Sequence, residues 1–164
     1  MRIIEKRESY YACFDWEITM AVESKWLIGN AVILQRVEGG MDVDTLRFTA
    51  KTIIDMVEQS KRPLVHHLLD LRQCQTMPLN VRVMSKNLFE PLRHPHFGWS
   101  VIIADHDKVT MSVLSMALQI NKIRFRFVSK PEEAVALLQK QDAALPLMNI
   151  NDVITFCQPA TASR

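Results

Sequence analysis

Leu64-Val65-His66-His67-Leu68-Leu69-Asp70-Leu71 follows Pro63 and runs into the polar loop 72–78. An apolar run this short, bounded by a breaker and a polar loop, predicts a strand buried on both faces at the centre of a sheet. Successive strand side chains point to opposite faces, so His66 and His67 separate there. One of them is expected to be a core histidine with satisfied ring nitrogens.

Toward the amino terminus the period changes. Val43, Leu46, Ala50, Ile53, Ile54 and Val57 share one helical face, whereas Asp44, Arg47, Lys51, Asp55 and Glu58 fall elsewhere. This predicts an amphipathic helix capped by Asp42 after the Gly39-Gly40 break and ending near Ser60. Before it, Ile18, Met20 and Val22 alternate with Thr19, Ala21 and Glu23. The turn signal Gly29-Asn30 and the run Ala31-Val32-Ile33-Leu34 follow, giving a β-hairpin. Residues 11–16 add a further candidate strand.

Toward the carboxyl terminus, Asn80 can cap a helix lined by Val81, Met84, Leu88 and Leu92, which Pro91 ends or kinks. Residues 99–104 read as a second buried strand, and Asp107 caps a helix reaching about Asn121. Ile123, Phe125 and Phe127 then alternate with Lys122, Arg124 and Arg126, as in a strand with one wet face. In the next helix start, Ser129 stands at N-cap, Pro131 at N2 and Glu132 at N3. Ala134, Val135, Leu137 and Leu138 supply its apolar side.

The order is β-β-α-β-α-β-α-β-α: an α/β domain with a mixed, largely parallel sheet, an amino-terminal antiparallel hairpin and about four helices. One domain is expected over residues 1–144, with about the first nine flexible. Residues 145–164 form a tail in which Val153, Ile154 and Phe156 can dock, while 159–164 are expected to be disordered.

A chain of 164 residues, 48% hydrophobic and 23% charged, can bury an ordinary core without disulfides or metals. A formal net charge of +2 gives no reason to expect a nucleic-acid partner. The three cysteines, Cys13, Cys74 and Cys157, are widely spaced and form no CxxC pair, which suits a reducing compartment. The charged start, Met1-Arg2-Ile3-Ile4-Glu5-Lys6-Arg7-Glu8, lacks the apolar core of a signal peptide, and no uninterrupted apolar stretch reaches bilayer-spanning length. A cytoplasmic location is therefore expected.

At this point the pattern resembles a known family. The hairpin, the Asp-capped helix and the strand ending in Leu68-Leu69-Asp70 are similar to the STAS, or SpoIIAA-like, fold of anti-sigma-factor antagonists. The strand 101–104 and the segment containing Phe127, Ser129, Glu133 and Ala134 are similar to its SpoIIAA-like branch. The resemblance covers residues 18–140 and implies a non-catalytic interaction module. Many such modules switch partners when a Ser or Thr is phosphorylated, at the helix start just after the strand corresponding to 64–70, in an Asp-Ser-x-Gly type sequence. The corresponding stretch here is Arg72-Gln73-Cys74-Gln75-Thr76-Met77-Pro78, without the Asp-Ser pair or the Gly, and Thr76 is its only hydroxyl. Asp70, Arg72 and Thr76 are accordingly the switch-loop candidates.

Catalytic signatures are missing from the sequence. Its four glycines assemble no phosphate-binding loop, and no cofactor is implied. His94-Pro95-His96 and His106 are too few and too divergent for a metal site, and no metal ligand is assigned. Cys74, Asp70 and Asp105 lie at strand ends where α/β folds place their sites, but helix capping and simple burial explain them as well.

Two surfaces remain. The first is basic: Arg82, Lys86 and Arg93 share one helical stripe, while Lys122, Arg124 and Arg126 share one strand face. Either can meet an anionic partner. The second is apolar. In the helix Lys108–Ile120, Val109, Val113, Met116, Ala117 and Ile120 make one stripe and Met111, Leu114 and Leu118 another, the latter being the candidate partner interface. The first expectation is a non-enzymatic regulatory or scaffold domain binding a protein partner or a second copy of itself. A carrier of an apolar small molecule or lipid is the alternative, and a hydrolase-like enzyme stands third.

Overall fold

The computed structural model describes residues 2–6, 9–14 and 20–158, with side chains from Ala21 to Gln158. These residues form an eight-stranded sheet. β1 (Arg2–Lys6), β2 (Ser9–Phe14), β3 (Met20–Ile28) and β4 (Val32–Gly40) make an antiparallel meander. β5 (Val65–Asp70), β7 (Phe97–Ile103) and β8 (Arg124–Val128) continue from β4 in parallel, and β6 (Cys74–Thr76) pairs with the end of β4. The sequence reading assigned no element to Arg2–Lys6 or to β6.

Each join has a local cause. At the β3–β4 turn Gly29 and Asn30 have φ of 37° and 58°, and Ala31 N–H donates to the Ile28 carbonyl at 2.6 Å. Positive φ at both central residues of the turn 28–31 is that of a type I′ turn, whose twist matches the strands it joins; three residues separate β3 from β4, and the register slips between Trp26 and Ile28. Helix α1 (Val43–Ser60) starts where Asp42 accepts from Thr45 N–H at 2.9 Å and ends at Lys61, whose φ is 55°. Helix α2 (Val81–Met84) runs into a π-helical turn, Ser85–Phe89, closed by Glu90 N–H on the Ser85 carbonyl, and stops before Pro91. Helix α3 (Lys108–Ile120) is capped by Asp107. Helix α4 (Pro131–Gln141) begins one residue later than its sequence suggests: Lys130 is the N-cap, and Ser129 N–H donates to Glu133 rather than forming a box with Glu132. A fifth helix, α5 (Ile150–Phe156), lies within the tail. The expected state of 159–164 lies outside the described residues.

Helices cover both faces. On one, α1, α2, the π-turn and α3 pack on Val22, Ile33, Val37, Val65, Leu69 and Ile102. On the other, α4 and α5 pack on Val32, Leu34, Leu68, Val101 and Ile103. Every residue of β5 is buried, as expected for a central parallel strand.

Burying His66 and His67 on opposite faces obliges each to find partners. Under α1, His67 Nε2 meets Gln35 Oε1 and Nδ1 meets Ser100 Oγ, both at 3.2 Å, and Gln35 Nε2 donates to Ser24 Oγ at 2.9 Å. The amide oxygen only accepts, so Nε2 carries the proton and Nδ1 takes the hydroxyl's. A row of polar groups thus crosses β3, β4, β5 and β7 inside the core, each member with a partner in the row.

On the other face, the register with β7 slips between Val65↔Phe97 and His67↔Ser100. This leaves Trp99 N–H to donate to His66 Nδ1 at 3.0 Å, and His66 Nε2 then donates to Asp142 at 3.1 Å. The imidazole therefore fills the gap of a β-bulge. A Cβ on Gly98 would lie 2.5 Å from His66 Nδ1 and 3.1 Å from the Val65 carbonyl. Gly98→Ala should therefore cost about 1–3 kcal/mol, the usual penalty of overpacking. At roughly 2–4 °C per kcal/mol for a chain of this size, calorimetry should register the fall in Tm. An unchanged Tm would remove the close approach as a constraint.

Candidate functional site

The carboxyl edge of the parallel strands is where α/β folds usually work. Asp70, the last residue of β5, is wholly buried. Arg72 closes on it in a two-pronged pair, Nε to Oδ1 at 3.0 Å and Nη2 to Oδ2 at 2.8 Å, and Arg72 N–H adds a third bond to Oδ1 at 3.0 Å. Beside it on the same face, Arg36 reaches Glu23 at 2.9 Å and Glu38 at 3.0 Å. Both arginines cap the end of α5: Arg36 donates to the carbonyls of Phe156 and Gln158, and Arg72 to that of Cys157 at 3.3 Å. The Phe156 ring lies against Lys25 and Arg36. The last carbonyls of a helix are unpaired and carry partial negative charge, so two guanidiniums there fix the tail in place.

Little reactive chemistry is available in this cluster. Desolvation pushes the Cys74 thiol up to about 11 and the Cys157 thiol to about 12, so both stay protonated near neutrality. Cys74 Sγ meets only the Thr76 carbonyl, at 3.4 Å. Thr76 is exposed on β6, four residues before Asn80, which caps α2, so it does not stand at a helix start. His106 Nε2 contacts the Leu71 carbonyl at 2.9 Å. No group of three His, Cys, Asp or Glu side chains among the described residues is placed to hold a metal ion.

The basic candidates separate in space. Arg93, Lys122 and Arg124 come together around a single open cleft together with His94. Arg126 lies over the Trp99 ring, 5.2 Å from its centroid. Lys86 lines a different groove with Arg47, Lys51 and Asp55, and Arg82 lines neither.

On α3 the two apolar stripes exchange roles. Leu114 and Leu118 are buried and Met111 packs against the same core, so the candidate interface is the helix's inner face. The outward stripe is Val109, Met116 and Ile120. Both stripes are apolar, so periodicity finds two faces without ranking them.

The sequence reading missed the Glu23–Arg36–Glu38 cluster and the Ser24–Gln35–His67–Ser100 row. A signal was present. A turn centred on Gly29-Asn30 sets Glu23 opposite Arg36 and Ser24 opposite Gln35, as the register confirms.

No helix of the described residues is long and apolar enough to cross a membrane. The geometry is that of an α/β domain built on a mixed sheet. No family model and no curated protein matches the chain. A solved structure does: an uncharacterized protein from the DUF3478 family with a SpoIIAA-like fold, from Shewanella loihica PV-4. The two agree with a TM-score of 0.53 over 77% of this chain and 99% of that one, at 14% identity. The chain thus has the SpoIIAA-like fold.

The buried imidazole row makes a pH prediction. Desolvation lowers the His67 pKa from 6.5 to about 3. The unfolded chain therefore binds the proton more readily, so stability is full above about pH 6.5 and falls as pH drops toward 3. The slope from this group approaches about 1.4 kcal/mol per pH unit. Urea unfolding at pH 7 and pH 5 should show a smaller difference for His67→Gln than for wild type, and equal differences would refute the assignment.

Proposed function

We propose that this chain is a non-catalytic regulatory or scaffold domain that acts through protein contacts and pairs with a second copy along the outer stripe of α3. The observation that carries this reading is the exposure of Val109, Met116 and Ile120, at 61%, 55% and 58%, on a helix whose inner stripe already fills the core. Apolar side chains aligned on one outer face mark an interaction surface. Lys108 is the sole charged residue of α3. Two copies can therefore lay this helix against itself about a two-fold axis without opposing like charges.

The tied-up carboxyl edge supports the non-catalytic part. Asp70 is taken up by Arg72 and Arg36 by Glu23 and Glu38, both arginines hold the tail, and the described thiols are protonated. The cleft of Arg93, Lys122 and Arg124 and the groove of Arg47, Lys51 and Lys86 are both open and charged at the rim, which favours contact with partners over carriage of an apolar molecule.

Native mass spectrometry tests the reading. Wild type should be a dimer at micromolar concentration, and Met116→Glu with Ile120→Glu should give a folded monomer. Leu114→Glu should instead unfold the domain, because Leu114 is 1% exposed. A monomeric wild type, or a double variant that stays dimeric, sinks the proposed interface.

A further inference from the structure

We infer that the cleft at the amino-terminal edge of β7 and β8 binds a phosphate ester through Arg93, Lys122 and Arg124. The inference goes beyond the pairing of α3 and stands independently of it.

The frame of the cleft is rigid. Helix α3 ends in a turn where Lys122 N–H donates to the Gln119 carbonyl at 2.9 Å and Ile123 N–H to that of Leu118 at 3.1 Å. Lys122 takes the left-handed conformation, with φ 56°. Beneath it the buried Asn121 side chain donates to Ser85 Oγ at 2.7 Å and to the Ala117 carbonyl at 2.8 Å, tying the turn to the π-helical segment. Arg93 reaches across to the Ile120 and Asn121 carbonyls, both at 3.4 Å. A stretch fixed in this way holds its charges in place before any ligand arrives.

Among the described residues no carboxylate lines the cleft, and none of Arg93, Lys122 and Arg124 forms an ion pair. Arg93 is partly offset by the carbonyls at the end of α3, while Lys122 and Arg124, around the same concavity, repel each other with no carboxylate beside them among the described residues. A bound anion relieves that repulsion, and an arginine fork beside an ammonium suits phosphate oxygens. His94 adds a donor: its Nδ1 accepts from His96 N–H at 3.2 Å, which leaves the proton on Nε2.

Size narrows the ligand. The cleft measures about 560 Å³, within the usual range for small-molecule sites and much larger than inorganic phosphate. Pro95, exposed at the rim, offers apolar surface for the organic part of an ester. A free phosphorylated metabolite and a phospholipid headgroup share this chemistry, and the test separates them.

The probes are ADP, and phosphatidylcholine vesicles with and without phosphatidic acid. The variant is Lys122→Gly with Arg124→Gln; glycine keeps the left-handed turn and both changes remove charge. Amide NMR should show saturable ADP shifts confined to residues 92–98 and 121–124, weakening as salt rises. The double variant, with its remaining amide signals unmoved, should bind at least about tenfold more weakly, as expected when two charge-assisted contacts are lost. ADP binding without vesicle binding assigns a free phosphate ester. Cosedimentation only with phosphatidic acid vesicles, lost in the variant, assigns the headgroup. Absence of saturable binding to either probe, or equal binding by the variant, overturns the inference.

Discussion

A central strand that buries two imidazoles and a carboxylate has to satisfy them all, and the molecule is organised around doing so at β5. Burying an unpartnered polar group costs several times what a hydrogen bond contributes. His67 therefore obliges Gln35 and Ser100 to be polar inside an aliphatic layer. His66 sets the shape of the bulge in β7 and holds the end of α4 through Asp142, whose carboxyl is kept below its usual pKa mainly by that bond. Asp70 requires Arg72. These bonds fix the registers of β4, β5 and β7 more sharply than interchangeable aliphatic side chains would.

The same logic explains the tail. Helix α5 is only seven residues long, too short to persist by itself. Its apolar side, Val153 and Phe156, closes the second core layer, while Arg36 and Arg72 take up its terminal carbonyls. Arg36 is itself held by a glutamate on each side, so the tail's anchor rests on the amino-terminal hairpin. At the ends of β4 and β5, the edge that hosts ligands in many α/β proteins is here covered by α5, while a cleft lined by Asp105, His106 and Ser129 stays open at the ends of β7 and β8.

Much of this was legible in the sequence. The breakers around β5, the cap at Asp42 and the helical period of α1 placed those elements almost to the residue. The Gly29-Asn30 turn fixed the hairpin; the pairs its register sets, Glu23 with Arg36 and Ser24 with Gln35, went unread because pairing was not followed out from the turn. Strand β6 was not readable, because three polar-leaning residues carry no period; it forms where Gly39 N–H finds the Gln73 carbonyl and Met41 N–H that of Thr76. The basic cleft was only half readable. Arg93 and Arg124 were singled out on separate elements, and only the packing of the β7 loop against the end of α3 brings them together. The inversion of the α3 stripes shows that two apolar faces on one helix leave orientation to tertiary packing.

Strand β4 is the one place where the sheet changes character, antiparallel to β3 on one side and parallel to β5 on the other. The antiparallel side is closed by a three-residue turn, 29–31, whereas the parallel side must wait for all of α1 to cross over. Hairpins close on the order of microseconds, and longer loops carry a larger entropic cost before any contact rewards them. Loop entropy therefore favours closing the hairpin before the α1 crossover, an order that folding-rate measurements on Ile33→Val and Leu68→Ala would test. β4 is the seam of the sheet, where a strand held by a short turn meets one that a whole helix must deliver.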